Sequence, residues 1–131
     1  MSTYINLIEP ITDRECESLR AVGIHTTEQL LEQSATSSAR MKLADLTHLS
    51  EETIKSWAHR ADLMRVDGVG GVIADALCGV GVTTVPKLAY RSSESLHQHL
   101  QKIPNIQSVP SVTELETIIT RAKALPKIIR H

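Results

Sequence analysis

The chain has 131 residues, is 41% hydrophobic and carries a formal net charge of −1. That length accommodates one compact domain or two very small ones, and near-neutrality is not the balance of an ordinary nucleic-acid binder. Phe is absent, and Trp57, Tyr4 and Tyr90 are the only aromatics, so the core must be aliphatic and recognition by serial base stacking is disfavoured.

Residues 1–6 show no clear pattern. A first helix is predicted from about Thr12 to Val22, stopped by Gly23 as a C-cap. Thr26 or Thr27 caps a short helix carrying Leu30 and Leu31. Ser37 or Ser38 opens a third, with Met41, Leu43, Ala44 and Leu46. Ser50 caps a fourth, where Ile54, Trp57, Ala58, Ala61 and Met64 keep helical spacing and Trp57 falls on the buried stripe. Four more helices follow at about 72–80, 85–90, 93–101 and 111–125. Ser111-Val112-Thr113-Glu114 is a capping box. Pro126 ends the last helix, and the tail to His131 is expected to be loose. No segment has the apolar length of a membrane span and no basic-then-apolar leader opens the chain, so a cytoplasmic protein is expected, stromal if the source is a plastid-bearing eukaryote.

An internal repeat organises these elements. At an offset of 58, Ile8-Glu9-Pro10-Ile11-Thr12 lies over Val66-Asp67-Gly68-Val69-Gly70, Leu19 over Leu77, Gly23 over Gly81, Thr26 over Thr84 and Leu30 over Leu88. Beyond that the offset becomes 61, placing Ser50 over Ser111, Trp57 over Ile118 and Ala61 over Ala122. The extra residues fit the Pro-bracketed stretch Pro104–Pro110. Two copies of one helical unit explain the match, residues 1–65 and 66–131. The first holds seven Lys/Arg against ten Asp/Glu, the second seven against five. Attraction for phosphate is therefore expected in the second half.

Gly68-Val69-Gly70-Gly71, between two helical segments, is the stretch with chemistry in it. Glycines permit a tight turn at φ > 0, a conformation expected at Gly70. The amides after that turn sit at a helix N-terminus, where anions bind. Small Ala74 lets the two helices approach.

This pattern resembles the helix-hairpin-helix family. Ala21-Val22-Gly23-Ile24-His25-Thr26-Thr27 with Leu30-Leu31, Trp57-Ala58-His59-Arg60-Ala61-Asp62-Leu63 and Ala122-Lys123-Ala124-Leu125-Pro126 together resemble a bacterial and plastid family of tandem helix-hairpin-helix proteins, a domain of unknown function. The segments Gly23 to Leu30 and Gly81 to Leu88 also resemble the C-terminal domain of the alpha chain of RNA polymerase. The resemblance implies an all-α fold of two packed repeats with about eight helices. It further implies a binding module that grips duplex DNA through hairpin amides on phosphates, or one that binds proteins.

Two departures qualify it. The first repeat has Pro10 and Thr12 where the glycines would stand, amid Glu9, Asp13, Glu15 and Glu17, so this acidic hairpin is expected to be structural or to face a protein partner. The second keeps its glycines but carries Val72 where DNA-binding members commonly have Lys or Arg. The candidate nucleic-acid site is Gly68, Val69, Gly70 and Gly71, reinforced by Arg65, Lys87, Arg91 and Lys102.

Catalysis, metals and cofactors are not expected. Helix-hairpin-helix glycosylases place a catalytic Asp roughly 20 residues past the hairpin, where this chain reads Lys87-Leu88-Ala89-Tyr90-Arg91. His97 and His99 point to different helix faces and cannot share a metal. Cys16 and Cys78 make no CxxC pair. The expected function is weak, sequence-independent duplex DNA binding by the second hairpin, with a protein–protein adaptor that kept the fold as the alternative.

Overall fold

A computed structural model describes residues 4–104, 106 and 108–130; positions 1–3, Asn105 and Gln107 of the Pro-bracketed stretch, and the terminal His131 lie outside the described residues. A short 3-10 turn at Ile5–Leu7 is followed by α1 (Asp13–Arg20), α2 (Thr27–Ser34), α3 (Ser37–Thr47), α4 (Glu51–Leu63), α5 (Gly71–Gly79), α6 (Val85–Ala89), α7 (Ser93–Gln101) and α8 (Val112–Lys123). The chain is all-α. Among the described residues the only β-type pairing is an isolated bridge between Tyr4 and Thr26.

The helix starts follow from side-chain chemistry. Thr12, Thr26, Thr36, Ser50, Thr84, Ser92 and Ser111 each accept a hydrogen bond from the third residue of the helix they open. Each satisfies one amide that the helix cannot pair internally. The third helix is capped by Thr36 rather than by a serine. Ser111 and Glu114 close the capping box that their spacing predicts. The exception is α5, whose N-cap Gly70 has no side chain to offer.

Several backbone features recur at positions matched by the offset of 58. Gly23 and Gly81 both take left-handed conformations, φ 88° and 86°, ending α1 and α5. Ile24 N–H donates to Leu19 C=O as Val82 does to Leu77, at 3.0 and 2.9 Å. Across the two hairpins, Ile11 N–H donates to Ile8 C=O as Val69 does to Val66, both at 3.0 Å. Pro10 therefore preserves the turn although it stands where Gly68 does. Helix packing matches too: α4 lies against α2 and α3, and α8 against α6 and α7. Helix α4 also packs on α5, joining the halves through one aliphatic core. Trp57 is buried within it, with the Arg60 guanidinium 5.8 Å from its ring centre.

The tail is not loose. Ile129 is buried, and Arg130 N–H donates to Ala35 C=O at 2.7 Å. Arg40, only 2% exposed, donates from one guanidinium nitrogen to Ser34 C=O at 2.9 Å and from the other to Arg130 C=O at 3.0 Å. Arg65 donates to Pro126 C=O at 2.9 Å. Residues 126–130, the end of the second half, are thus tied to the first. Pro126 stops the helix as its missing N–H dictates, but the aliphatic pair Ile128-Ile129 then returns the chain to the core.

Candidate functional site

Helix α4 delivers the chain to the second hairpin through Leu63, Met64 and Val66, all buried. Gly68 makes the reversal at φ 96°. Gly70 does not take the left-handed conformation expected of it. It is extended, at φ −88° and ψ −175°, as an N-cap residue should be, and a Cβ there would meet nothing within 4 Å. Gly68→Ala should therefore cost about 1–2 kcal/mol, the strain of a left-handed residue bearing a Cβ, while Gly70→Ala should cost less, about 0.5–1 kcal/mol, the ordinary loss at an N-cap. Urea unfolding of the two variants checks this contrast.

Gly71, the first residue of α5, is constrained differently. A Cβ on it would overlap the carbonyl oxygen of Leu7, and Glu9 Cγ would lie 3.5 Å away. The first hairpin therefore lies against the second, and its backbone covers one side of the first turn of α5. Leu7 and Val72, beside this contact, are 53% and 60% exposed. The edge of the hairpin thus presents apolar side chains and the acidic Glu9.

The sequence-predicted cations are dispersed. Arg65 is held by Asp62, with N–H to Oδ1 at 2.9 Å, and by Pro126. Asp62 is fully buried, and its Oδ2 also accepts from Val85 N–H at 2.8 Å, so this pair fastens α4 to the start of α6. Arg91 donates to Val80 C=O at 3.3 Å, at the opposite end of α5 from the hairpin, about 13 Å along a nine-residue helix. Lys87 is exposed and bonded to Thr83 Oγ1 at 3.1 Å. Lys102 is the exposed C-cap residue of α7. Glycines 68, 70 and 71 and Val69 are together; these four cations do not gather on them.

One cation at the hairpin lies outside the sequence-predicted set. Arg121 of α8 donates to Asp67 C=O at 2.9 Å and lies 3.4 Å from where a Cβ on Gly68 would be. The repeat contains the signal: at the offset of 61 that matches Trp57 to Ile118, Arg60 falls on Arg121. Arg60 pairs with Asp75 at 2.8 Å, so both arginines reach from a long helix toward the hairpin and α5.

A concavity of about 670 Å³ lies between α4 and α5 and is lined by His59, Arg60, Asp75 and Cys78 among others. Burial pushes the Cys78 thiol pKa up, with the nearby Arg60 charge pulling it the other way. Such a thiol stays protonated and is a poor nucleophile. Among the described residues no group of three or more His, Cys, Asp or Glu is placed to hold a metal, and no helix is long and apolar enough to cross a membrane.

A family model described as "Domain of unknown function (DUF4332)" matches residues 9–125. No curated protein and no solved structure matches the chain.

Proposed function

The chain belongs to this family of domains of unknown function, and within it we propose a non-enzymatic adaptor that binds a protein partner on a tandem helix-hairpin-helix scaffold. The observation that carries the reading is the covered first turn of α5. The Leu7 carbonyl and Glu9 occupy its flank, and exposed Leu7 and Val72 border it. A phosphate arriving there meets a like charge, and Arg65 is already committed to Asp62. Exposed apolar side chains at such an edge suit a protein surface instead.

Duplex DNA binding is the second reading. It is favoured by α5 being the one α-helix among the described residues without a side-chain cap, which leaves its first amides suited to an anion.

Fluorescence anisotropy with a labelled duplex across a salt series separates the two. The adaptor reading expects no binding by wild type at low salt and none by Val72→Lys. It also expects Leu7→Glu with Val72→Glu to release nuclease-resistant partners in pull-downs from the native cell. Duplex affinity of about 10⁻⁴–10⁻⁶ M, with a log–log salt slope near −2 to −4 at roughly 0.9 per phosphate, would establish the DNA reading in its place.

A further inference from the structure

Beside the C-terminal end of α8 runs a groove of about 720 Å³, walled on the other side by α6. Ala89 and Leu125, both partly buried, pack against the core and contribute apolar lining. Tyr90 stands at its edge, 91% exposed. Arg91, Lys123 and Lys127 line it, and no carboxylate does. Lys127 also borders the adjoining cleft with Lys87, where the carboxylate of Asp62 is already paired with Arg65. The Lys127 wall is fixed in place, because the tail that carries it is bonded at Pro126 and Arg130 to the first half.

Part of this has a local explanation. Lys123 is in the last turn of α8, where a cation complements the helix dipole. That explanation does not extend to Lys127, beyond the helix end, nor to Tyr90, an aromatic ring that contributes almost nothing to the core. Large aromatic and cationic side chains around an apolar floor are the composition of a protein-recognition surface.

We propose that the α6–α8 groove, centred on Tyr90, Arg91, Lys123 and Lys127, binds an acidic segment of a partner protein bearing aliphatic anchors. The proposal rests on the adaptor reading and adds to the hairpin edge a second protein-binding surface with its own ligand chemistry. Acidic side chains would pair with Lys123, Lys127 and the guanidinium nitrogens that Arg91 does not give to Val80 C=O, and an aliphatic side chain would cover Ala89 and Leu125 under the Tyr90 ring. A nucleic acid fits less well. It makes little use of an aliphatic floor, finds one aromatic ring to stack on, and carries its charge beyond the groove. A chain with ten carboxylates in residues 1–65 repels a long polyanion more than a short one.

The test uses the full chain and a short fluorescein-labelled peptide of Glu, Asp and Leu. Its controls are a Lys-for-acid version, a single-stranded oligonucleotide and a duplex. Wild type should bind the acidic peptide, more weakly as salt rises, and not the basic one. Lys123→Glu with Lys127→Glu should weaken binding at least about tenfold, and Tyr90→Ala several-fold, with unchanged melting temperature. Amide chemical-shift changes on titration should cluster at residues 89–91 and 122–127. Absence of peptide binding, or binding indifferent to the Lys and Tyr variants, overturns the proposal. Tighter binding of the single strand at the same residues also overturns it, making the groove a nucleic-acid site. Failure of the adaptor reading looks different: duplex binding that responds to Gly68→Ala and Val72→Lys at the hairpin and leaves these residues unshifted.

Discussion

Arg40→Ala should lower unfolding free energy by about 2–4 kcal/mol and detach residues 126–130. The guanidinium is buried, and the partners described for it are the backbone carbonyls of Ser34 and Arg130. Truncation leaves those acceptors unpaired, at about 1–3 kcal/mol for a buried one, and opens a cavity where a long side chain had been. Part of the loss is returned because a buried cation no longer needs desolvating. Arg40→Met, which fills the space without the charge, should therefore be less damaging than Arg40→Ala. Urea unfolding gives the ordering. Hydrogen exchange at the Arg130 amide, bonded to Ala35 C=O, reports the tail: its protection should fall in both variants. An Arg130 amide as protected in Arg40→Ala as in wild type would show that Ile128, Ile129 and the Arg65–Pro126 bond hold the tail without Arg40.

Gly71→Ala is the second large effect, a loss of about 1–3 kcal/mol. Alanine ordinarily improves a helix relative to glycine by about 1 kcal/mol, so the sign itself is informative. Here the added methyl runs into the Leu7 backbone carbonyl, and a backbone group cannot swing aside as a side-chain tip can. The first hairpin must retreat from the second, and overpacking of this kind typically costs about 1–3 kcal/mol. The neighbouring Gly70→Ala, with open space around it, is the matched control. Thermal unfolding followed by Trp57 fluorescence distinguishes them; equal melting temperatures would mean that the hairpins separate freely.

Local chemistry makes most of the helices legible. Ser and Thr caps, Gly23 and Gly81 as stops, and the spacing of Ile54, Trp57, Ala58 and Ala61 all act within a few residues of their partners. A Gly-x-Gly pattern marks a turn without saying which member carries the reversal, and here Gly68 carries it while Gly70 is extended. The rest depends on contacts between distant residues. Arg40 meets Arg130, Arg65 meets Pro126 and Arg121 meets Asp67 across 90, 61 and 54 positions. In a linear reading each arginine is simply a solvated charge. The same blindness scatters the candidate site: Arg65 and Arg91 read as free cations, and both are bonded within the fold. Leu7, 64 positions before Gly71, gives no sign in the sequence that it covers the first turn of α5.

The return of residues 126–130 to α2 and α3 has a consequence for synthesis on the ribosome. Ser34 and Ala35 carbonyls wait for partners, and the Arg130 amide that meets Ala35 is translated almost a hundred residues later. The N-terminal half can form its helices as it emerges, but the buried Arg40 cannot complete its bonding until residue 130 is free of the exit tunnel. The two halves should therefore mature as one cooperative unit once residue 130 has emerged, rather than in succession. Residues 1–65 expressed alone should be poorly folded, and residues 66–131 supplied as a separate chain should restore them.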